Sequence, residues 1–105
     1  MSETVWFISY KLVKGASVQD YLSASEQVNN EILSKQKGFI SWKVFADGDT
    51  WVDLVTWETM DDAKNAETAG QANPVAQKYY SLIDMESCKQ TYYTVAKGHN
   101  DRVHK

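Results

Sequence analysis

The sequence has few of the residues on which nucleophilic and redox sites are usually built. Of its 105 residues, one is cysteine, one is proline and two are histidines, His99 and His104. Cys88 alone cannot form an internal disulfide, and the chain before His99 cannot supply the base of a Ser-His-Asp triad. No histidine, cysteine and carboxylate spacing is typical of a metal site. We therefore predict no metal and no other cofactor.

Arginine and long apolar runs are also scarce. The only arginine, Arg102, lies in a basic C-terminal segment, so the rest of a chain with net charge −3 offers no guanidinium group for phosphate. This balance disfavours nucleic acid and anionic membranes as partners. The longest apolar runs, such as 5–8, are far below the roughly 20 residues that span a bilayer, and the N-terminus has no secretory signal pattern. We expect a cytoplasmic location.

Aromatic residues, by contrast, are abundant, with four Trp, six Tyr and three Phe. At 43% hydrophobic and 24% charged residues, a chain of this length predicts one globular domain with a single core. We place this domain at residues 1–97. A polar C-terminal tail is expected at residues 98–105, because no apolar pattern is present there.

Apolar alternation predicts four strands, at residues 4–14, 39–46, 51–57 and 86–96. The second and third strands form a hairpin around Asp47-Gly48-Asp49, and its register depends on the loop length. A three-residue loop places Lys43 opposite Asp53, whereas a two-residue loop moves Asp53 to the face of Val44.

Helical periodicity and capping residues predict the remaining elements. Ser17, followed three residues later by Asp20, indicates a helix from about residue 18 to about residue 37. The second helical region is split. One short helix follows Thr59, and another begins at Asn73-Pro74 and ends near Asp84.

The element order βαββαβ predicts an α+β fold with a four-stranded antiparallel sheet. Right-handed crossovers give the ferredoxin-like strand order 4-1-3-2, with the helices on one face of the sheet. The first three strands are apolar on both sides, whereas a sheet with one free face normally shows that face polar residues. We therefore expect a second copy of the chain to cover the free face in a twofold homodimer.

Three segments carry a family resemblance that spans residues 4–96. The first strand closes in Lys14-Gly15, Lys37-Gly38-Phe39 opens the second strand, and Val55-Thr56-Trp57-Glu58 leads into the helix after Thr59. In these features the chain resembles the dimeric α/β barrel superfamily, and most closely its antibiotic biosynthesis monooxygenase branch. The resemblance implies a dimeric barrel, a pocket between the sheet and helices of each subunit, and cofactor-independent oxidation of aromatic molecules.

The haem-degrading members of that family are a poor match. They use an asparagine on the first strand and an iron-ligating histidine on the second helix. Here the matching part of the first strand reads Ile8-Ser9-Tyr10, and no histidine precedes His99. We predict that this protein does not degrade haem.

Asp53 is the most informative polar residue, since aspartate is disfavoured within a strand that has apolar faces. One interpretation is a buried carboxylate that accepts a proton from a phenol or an enol. The other is a structural ion pair with Lys43, Lys11 or a residue of the second subunit. The sequence leaves both open.

Aromatic side chains are the candidates for binding a flat substrate. We predict Asp53 and Trp57 as catalytic residues, the latter because its position at the strand end matches the family's recurrent tryptophan. Tyr10, Trp42, Tyr79 and Tyr92 are predicted to bind substrate, although the same rings could simply fill a core and a dimer interface.

Two functional hypotheses follow. In the first, the protein is a cofactor-independent monooxygenase that acts on a phenolic or enolic aromatic small molecule. In the second, it is a non-catalytic homodimeric module that binds a small ligand or only itself, as the lack of a paired acid and base in the sequence suggests.

Overall fold

The computed structural model describes residues 2–71 and 73–99 and contains one antiparallel sheet. Its strands are β1 (Thr4–Leu12), β2 (Phe39–Asp47), β3 (Thr50–Trp57) and β4 (Ile83–Thr94). The helices are α1 (Val18–Glu31), α2 (Met60–Glu67) and α3 (Pro74–Ser81). In the described residues, no helix is long and apolar enough to cross a membrane.

The sheet order is β2-β3-β1-β4, with β1 paired to both β3 and β4. This confirms the predicted ferredoxin-like α+β fold, including the split second helical region. Of the predicted tail, residues 100–105, which contain Arg102 and His104, lie outside the described residues.

The hairpin between β2 and β3 has a two-residue turn. Asp47 pairs with Thr50 across Gly48, which has φ +63°, and Asp53 lies opposite Val44. Because side chains alternate along a strand, Asp53 faces the helices while Lys43, opposite Leu54, lies on the other face. Of the two registers that the sequence left open, the structure therefore has the two-residue loop, and Lys43 does not lie opposite Asp53.

Helix α1 begins as predicted but ends earlier. The Ser17 hydroxyl accepts a hydrogen bond from the Asp20 backbone N–H at 3.2 Å, which caps the first turn. The α-helix ends at Glu31 rather than near Lys37, and a 3₁₀ turn follows at Leu33–Lys35. Ile32 leaves the helical conformation with φ −125° and buries its side chain, so core packing competes with continuation of the helix.

The boundary between α3 and β4 also differs from the prediction. Helix α3 is capped by the Asn73 side chain, which accepts from the Val75 backbone N–H at 2.8 Å. It ends at Ser81, and Ile83 already pairs with Leu12 of β1. Pairing with β1 therefore starts β4 three residues before the predicted position, which also corrects the helical assignment of Ile83.

Two buried clusters hold the helices against one face of the sheet. The first joins β1, α1 and α3 and is centred on three tyrosines, Tyr10, Tyr21 and Tyr79. The second joins the strands to α2, where Trp57 packs with Ala63 and Ala66. The small alanine side chains let α2 approach the sheet closely.

The opposite face of the sheet has no covering element in the described part of the chain. Phe7, Val52 and Leu54 lie on its central strands, and each is only partly buried. At its edges, Phe45 is 47% and Tyr93 is 55% exposed. This outer face therefore carries an apolar or aromatic side chain on each of its four strands.

Gly38, just before β2, is a position where we expect a side chain to be poorly tolerated. Its φ is +82°, and an added Cβ would overlap the Asp62 carboxyl group. Gly15 has a similar φ of +84° but open space around it, so Gly15→Ala is the matched control for backbone strain alone. In urea unfolding, Gly38→Ala should lower the free energy of unfolding by at least about 1 kcal/mol more than Gly15→Ala. Equal losses would contradict the predicted overlap with Asp62.

Candidate functional site

A cavity of about 290 Å³ lies between the sheet and the helices. It is lined mainly by apolar and aromatic side chains, with Asp53 of β3 among them. Its volume is near the lower end of the roughly 300–1,000 Å³ of small-molecule sites. It is also about twice the ~150 Å³ that holds one benzene. The size therefore suits one molecule of two fused rings.

Two tyrosines hold the Asp53 carboxyl group. The Tyr10 hydroxyl of β1 donates to Oδ1 and the Tyr79 hydroxyl of α3 donates to Oδ2, each at 2.8 Å. Asp53 is only 3% exposed. Burial of a carboxyl group is costly unless it is hydrogen-bonded, and these two phenols supply bonds without supplying charge.

A third tyrosine extends the cluster. Tyr21 of α1, fully buried, contacts the Tyr10 hydroxyl with its own hydroxyl, and the Tyr10 and Tyr79 hydroxyls lie 2.8 Å apart. The rings of Tyr21 and Tyr79 are stacked at 5.8 Å. The cluster of Asp53, Tyr10, Tyr21 and Tyr79 thus joins β1, β3, α1 and α3.

The hydrogen bonds of this cluster leave room for one more proton. With Asp53 ionised, the three phenols supply three protons to four contacts. If Asp53 carries a proton, it can donate to Tyr79, Tyr79 to Tyr10, and Tyr10 back to the other carboxyl oxygen. Tyr21 then donates to Tyr10, and all four contacts are hydrogen bonds.

The pKa values of the cluster agree with this count of protons. Burial raises the pKa of Asp53 to about 6, although the hydrogen bonds from Tyr10 and Tyr79 lower it in part. Burial and the nearby Asp53 charge raise the pKa of Tyr21 to about 12 and that of Tyr79 well above its ordinary value. The tyrosines therefore remain protonated near neutral pH, and Asp53 is the group of the cluster that can gain or lose a proton.

Trp42 adds a donor beside this carboxyl group. Its ring lines the cavity and lies edge-on to Tyr79 at 5.8 Å. The indole N–H is close enough to the Asp53 carboxyl group to lower its pKa. It makes no hydrogen bond within the described residues and is therefore a buried, unpaired donor. A ligand oxygen in the cavity would give it a partner.

A second carboxylate, Glu67 of α2, also lines the cavity. Its two oxygens accept from the Tyr92 hydroxyl at 2.6 Å and from Gln90 Nε2 at 3.2 Å. Gln90 in turn accepts from Trp6 Nε1 at 3.1 Å. This network ties the end of α2 to β1 and β4.

The structure brings together four of the six predicted site residues. Asp53, Tyr10, Trp42 and Tyr79 all line the cavity. Trp57 does not line it, is 0% exposed and packs edge-on against Phe39. Tyr92 is also outside the lining, where it stacks on Trp6 with ring centroids 5.6 Å apart.

Within the subunit, the ion-pair interpretation of Asp53 does not fit the observed neighbours. In the described part of the chain, Asp53 has hydroxyl partners and no salt bridge, while Lys11 lies 3.6 Å from Asp49 at the exposed turn. Lys11 and Lys43 are therefore not partners of Asp53 within the subunit. Both are exposed residues.

Tyr21 is the residue of the cluster that sequence reasoning missed as a polar group. It falls on the apolar stripe of α1, where a tyrosine is indistinguishable from a packing residue. Its hydroxyl is placed against Tyr10 only by the angle at which α1 crosses the sheet. The pairing spans 11 residues and has no local signal.

No three His, Cys, Asp or Glu side chains in residues 2–71 and 73–99 are grouped as metal ligands. The four-residue cluster instead offers a proton acceptor, neutral hydroxyl donors and aromatic walls. Such a site can bind a flat molecule, take a proton from it and keep water away.

Comparison with known proteins identifies the fold. Neither known protein families nor curated proteins gave a match. Among solved structures, SnoaB from Streptomyces nogalater, a cofactor-independent oxygenase, has a TM-score of 0.76 at 13% identity and covers 93% of this chain and 97% of its own. A provisionally assigned antibiotic biosynthesis monooxygenase from Bordetella bronchiseptica has a TM-score of 0.76 at 11% identity, covering 92% and 100%.

A third structure, a provisionally assigned antibiotic biosynthesis monooxygenase from Bacillus cereus, has a TM-score of 0.66 at 19% identity. It covers 95% of this chain and 99% of its own. The chain therefore has the ferredoxin-like fold of antibiotic biosynthesis monooxygenase-like proteins, which confirms the resemblance at the level of the fold. At these identities the likeness does not assign an activity.

The raised pKa of Asp53 predicts a specific pH dependence of stability. The folded value of about 6 exceeds the ordinary value of 3.8, so protonated Asp53 stabilises the fold fully below about pH 3.8, and this stabilisation is lost as the pH rises through about 6. Relative to the non-titrating Asp53→Asn, the wild type should lose on the order of 3 kcal/mol between about pH 4 and pH 7.

Urea unfolding of both proteins across this range measures the difference. Asp47→Asn, at an exposed position of the β2–β3 turn, is the control and should run parallel to the wild type. If Asp53→Asn also runs parallel, then the carboxyl group at position 53 does not titrate differently in the folded state.

Proposed function

We propose that this protein is a cofactor-independent monooxygenase that oxidises a phenolic or enolic aromatic small molecule in the cavity. The observation that carries the proposal is the unfilled proton position in the cluster of Asp53 and three tyrosines. A carboxylate whose hydrogen bonds are completed by one proton is suited to take that proton from a bound substrate.

The proposed reaction begins with this proton transfer. Ionised Asp53 accepts a proton from the phenol or enol, and the substrate becomes an electron-rich anion with carbanion character at a ring carbon. That anion reduces O₂, one oxygen atom becomes bound to the ring carbon, and the other leaves as water. For a ring CH₂ group, the balance is CH₂ + O₂ giving C=O + H₂O, and the substrate carbon supplies all four electrons that reduce O₂. The proton held by Asp53 and the second proton of the CH₂ group both leave in the water.

The remaining site residues bind and enclose the substrate in this proposal. The unpaired Trp42 N–H donates to the developing oxyanion, and the Tyr79 hydroxyl completes the proton network. Trp57 and Tyr92 do not touch the substrate in this proposal. They hold lining residues in place, since they pack against Val55 and Trp6, which line the cavity. The activity of SnoaB, which shares the fold, adds support.

Oxygen uptake with a panel of fused-ring substrates, from two-ring naphthols and naphthoquinols to three-ring anthrones, tests the activity. Asp53→Asn keeps the shape of the site and removes the base, so we expect kcat to fall about 100-fold or more while KM stays within a few-fold. Because Asp53 must be ionised to act, kcat/KM of the wild type should fall as the pH drops through about 6.

Asp47→Asn is the control here as well and should retain wild-type uptake. Absence of protein-dependent oxygen uptake across the panel would overturn the monooxygenase proposal. If ligands still bind in the cavity, this result would favour the second hypothesis, a non-catalytic small-ligand-binding module.

We further propose that two copies form a homodimer through their outer sheet faces. The face carries Phe7, Val52 and Leu54 on its central strands, and no other element of the described chain covers it. A face that repeats the same apolar surface on both copies is suited to twofold pairing.

We also propose a cytoplasmic location, because the sole cysteine, Cys88, has no partner within its own chain for a disulfide.

Native mass spectrometry tests the dimer. Leu54→Lys places a charge in the centre of the outer face and should convert the dimer to a monomer. Leu22→Lys, on the exposed side of α1, is the matched control because Leu22 is already 43% exposed. A monomeric wild type, or a Leu54→Lys variant that remains dimeric, would overturn this arrangement.

A further inference from the structure

The charged groups that line the cavity are of one sign. Asp53 and Glu67 carry carboxyl groups, and no Lys, Arg or His side chain of the described residues is part of the lining. Beside Glu67, Lys64 Nζ lies 5.8 Å from the ring of Tyr92, whose hydroxyl donates to Glu67. Glu67 thus has a cation in its surroundings, whereas Asp53 has none among its observed partners.

The partners of Asp53 provide hydrogen bonds but no compensating charge. Tyr10 and Tyr79 are neutral donors, and Tyr21 reaches the carboxyl group only through Tyr10. Burial keeps these phenols protonated and raises the pKa values of Tyr80 and Cys88, which also line the cavity. An ionised Asp53 therefore acts on a ligand without an opposing charge, in a site where burial weakens screening by water.

We propose that the cavity selects its ligand by charge, binding uncharged and cationic aromatic molecules and excluding those that carry a carboxylate. This names the substrate class of the proposed oxygenase and rests on the same cavity being its binding site. A neutral phenol satisfies the rule even during turnover, because transfer of its proton to Asp53 leaves the total charge of the site unchanged. A carboxylated substrate would add a second negative charge beside the first.

The aromatic walls strengthen this selection. Tyr10, Trp42 and Tyr79 lie around the carboxyl group, and aromatic ring faces attract cations. A carboxylate would also lose its hydration on entering an apolar cavity. Among the described residues near Asp53, the Trp42 N–H is the one free indole donor that could bind it. The expected order of affinity is cation at least equal to neutral molecule, and both above anion.

Three probes with the same fused rings test this order: 2-naphthol, 2-naphthoate and 2-naphthylmethylammonium. Their binding to the wild-type protein can be measured by calorimetry at about pH 8, where the naphthol is neutral, the naphthoate is an anion and the ammonium is a cation. We expect 2-naphthoate to bind at least about 10-fold more weakly than the other two, equivalent to about 1.4 kcal/mol. Equal affinities for the three probes would overturn the proposal.

The Asp53→Asn variant identifies the source of the selection. It should bind 2-naphthoate at least about 10-fold more tightly than the wild type does, while binding of 2-naphthol changes only a few-fold. Asp47→Asn, at the exposed turn, should leave all three affinities unchanged. If Asp53→Asn retains the wild-type discrimination, Asp53 is not its source and the proposal fails.

A wild-type titration provides an independent measurement if Asp53→Asn does not fold. Between about pH 8 and about pH 5.5 the probes keep their charges, because an aromatic carboxyl group titrates at about pH 4. Tyr10, Tyr21, Tyr79, Tyr80 and Cys88, whose pKa values are raised, also keep theirs. Protonation of Asp53 should then strengthen 2-naphthoate binding as the pH falls through about 6. Affinity that is constant or falls over this range would contradict the proposal.

These measurements separate the charge rule from the oxygenase activity. Selection against 2-naphthoate without oxygen uptake would leave the charge rule standing and overturn the proposed chemistry. Oxygen uptake with no discrimination among the three probes would support the proposed chemistry and overturn the charge rule.

Discussion

The buried carboxyl group of Asp53 is the constraint around which this small domain is arranged. A carboxylate in an apolar interior is unfavourable unless neighbouring groups hydrogen-bond to it, and here the hydrogen-bond network around it draws on three different elements. Tyr10 of β1 and Tyr79 of α3 donate directly, and Tyr21 of α1 supports Tyr10. The polar cluster therefore fixes how both helices sit on the sheet while leaving one carboxyl group able to change its protonation state.

The cavity is lined by members of both core clusters and lies where the two meet. Tyrosines fill the space under α1 and α3, and Trp57 with small alanines fills the space under α2. Gly70 lies between them, where an added Cβ would come within 3.2 Å of Ala76. Gly70 and Ala76 both line the cavity, so their small size lets the segment after α2 approach α3 closely without adding side-chain volume to the cavity.

The three solved structures described above share this fold and are less than one-fifth identical to the chain. Such a likeness is expected where the fold depends on alternation, capping and small residues at close contacts, since many sequences satisfy these requirements. The chemistry depends instead on individual side chains. For the proposed chemistry those are the Asp53 carboxyl group with its three phenols, and the unpaired Trp42 donor, beside a cavity that has no positive charge among its described lining residues.

The sequence alone determined the element order, the sheet topology and the start of α1, because alternation of side chains, the Ser17 cap and right-handed crossovers are local or general constraints. It also marked Asp53 as unusual. Its partners were decided only by the tertiary structure: the two-residue turn set the face of Asp53, and helix packing brought Tyr21 and Tyr79 to Tyr10. Contacts that span 11 to 69 residues depend on strand register and helix crossing angle, for which a periodic pattern has no signal.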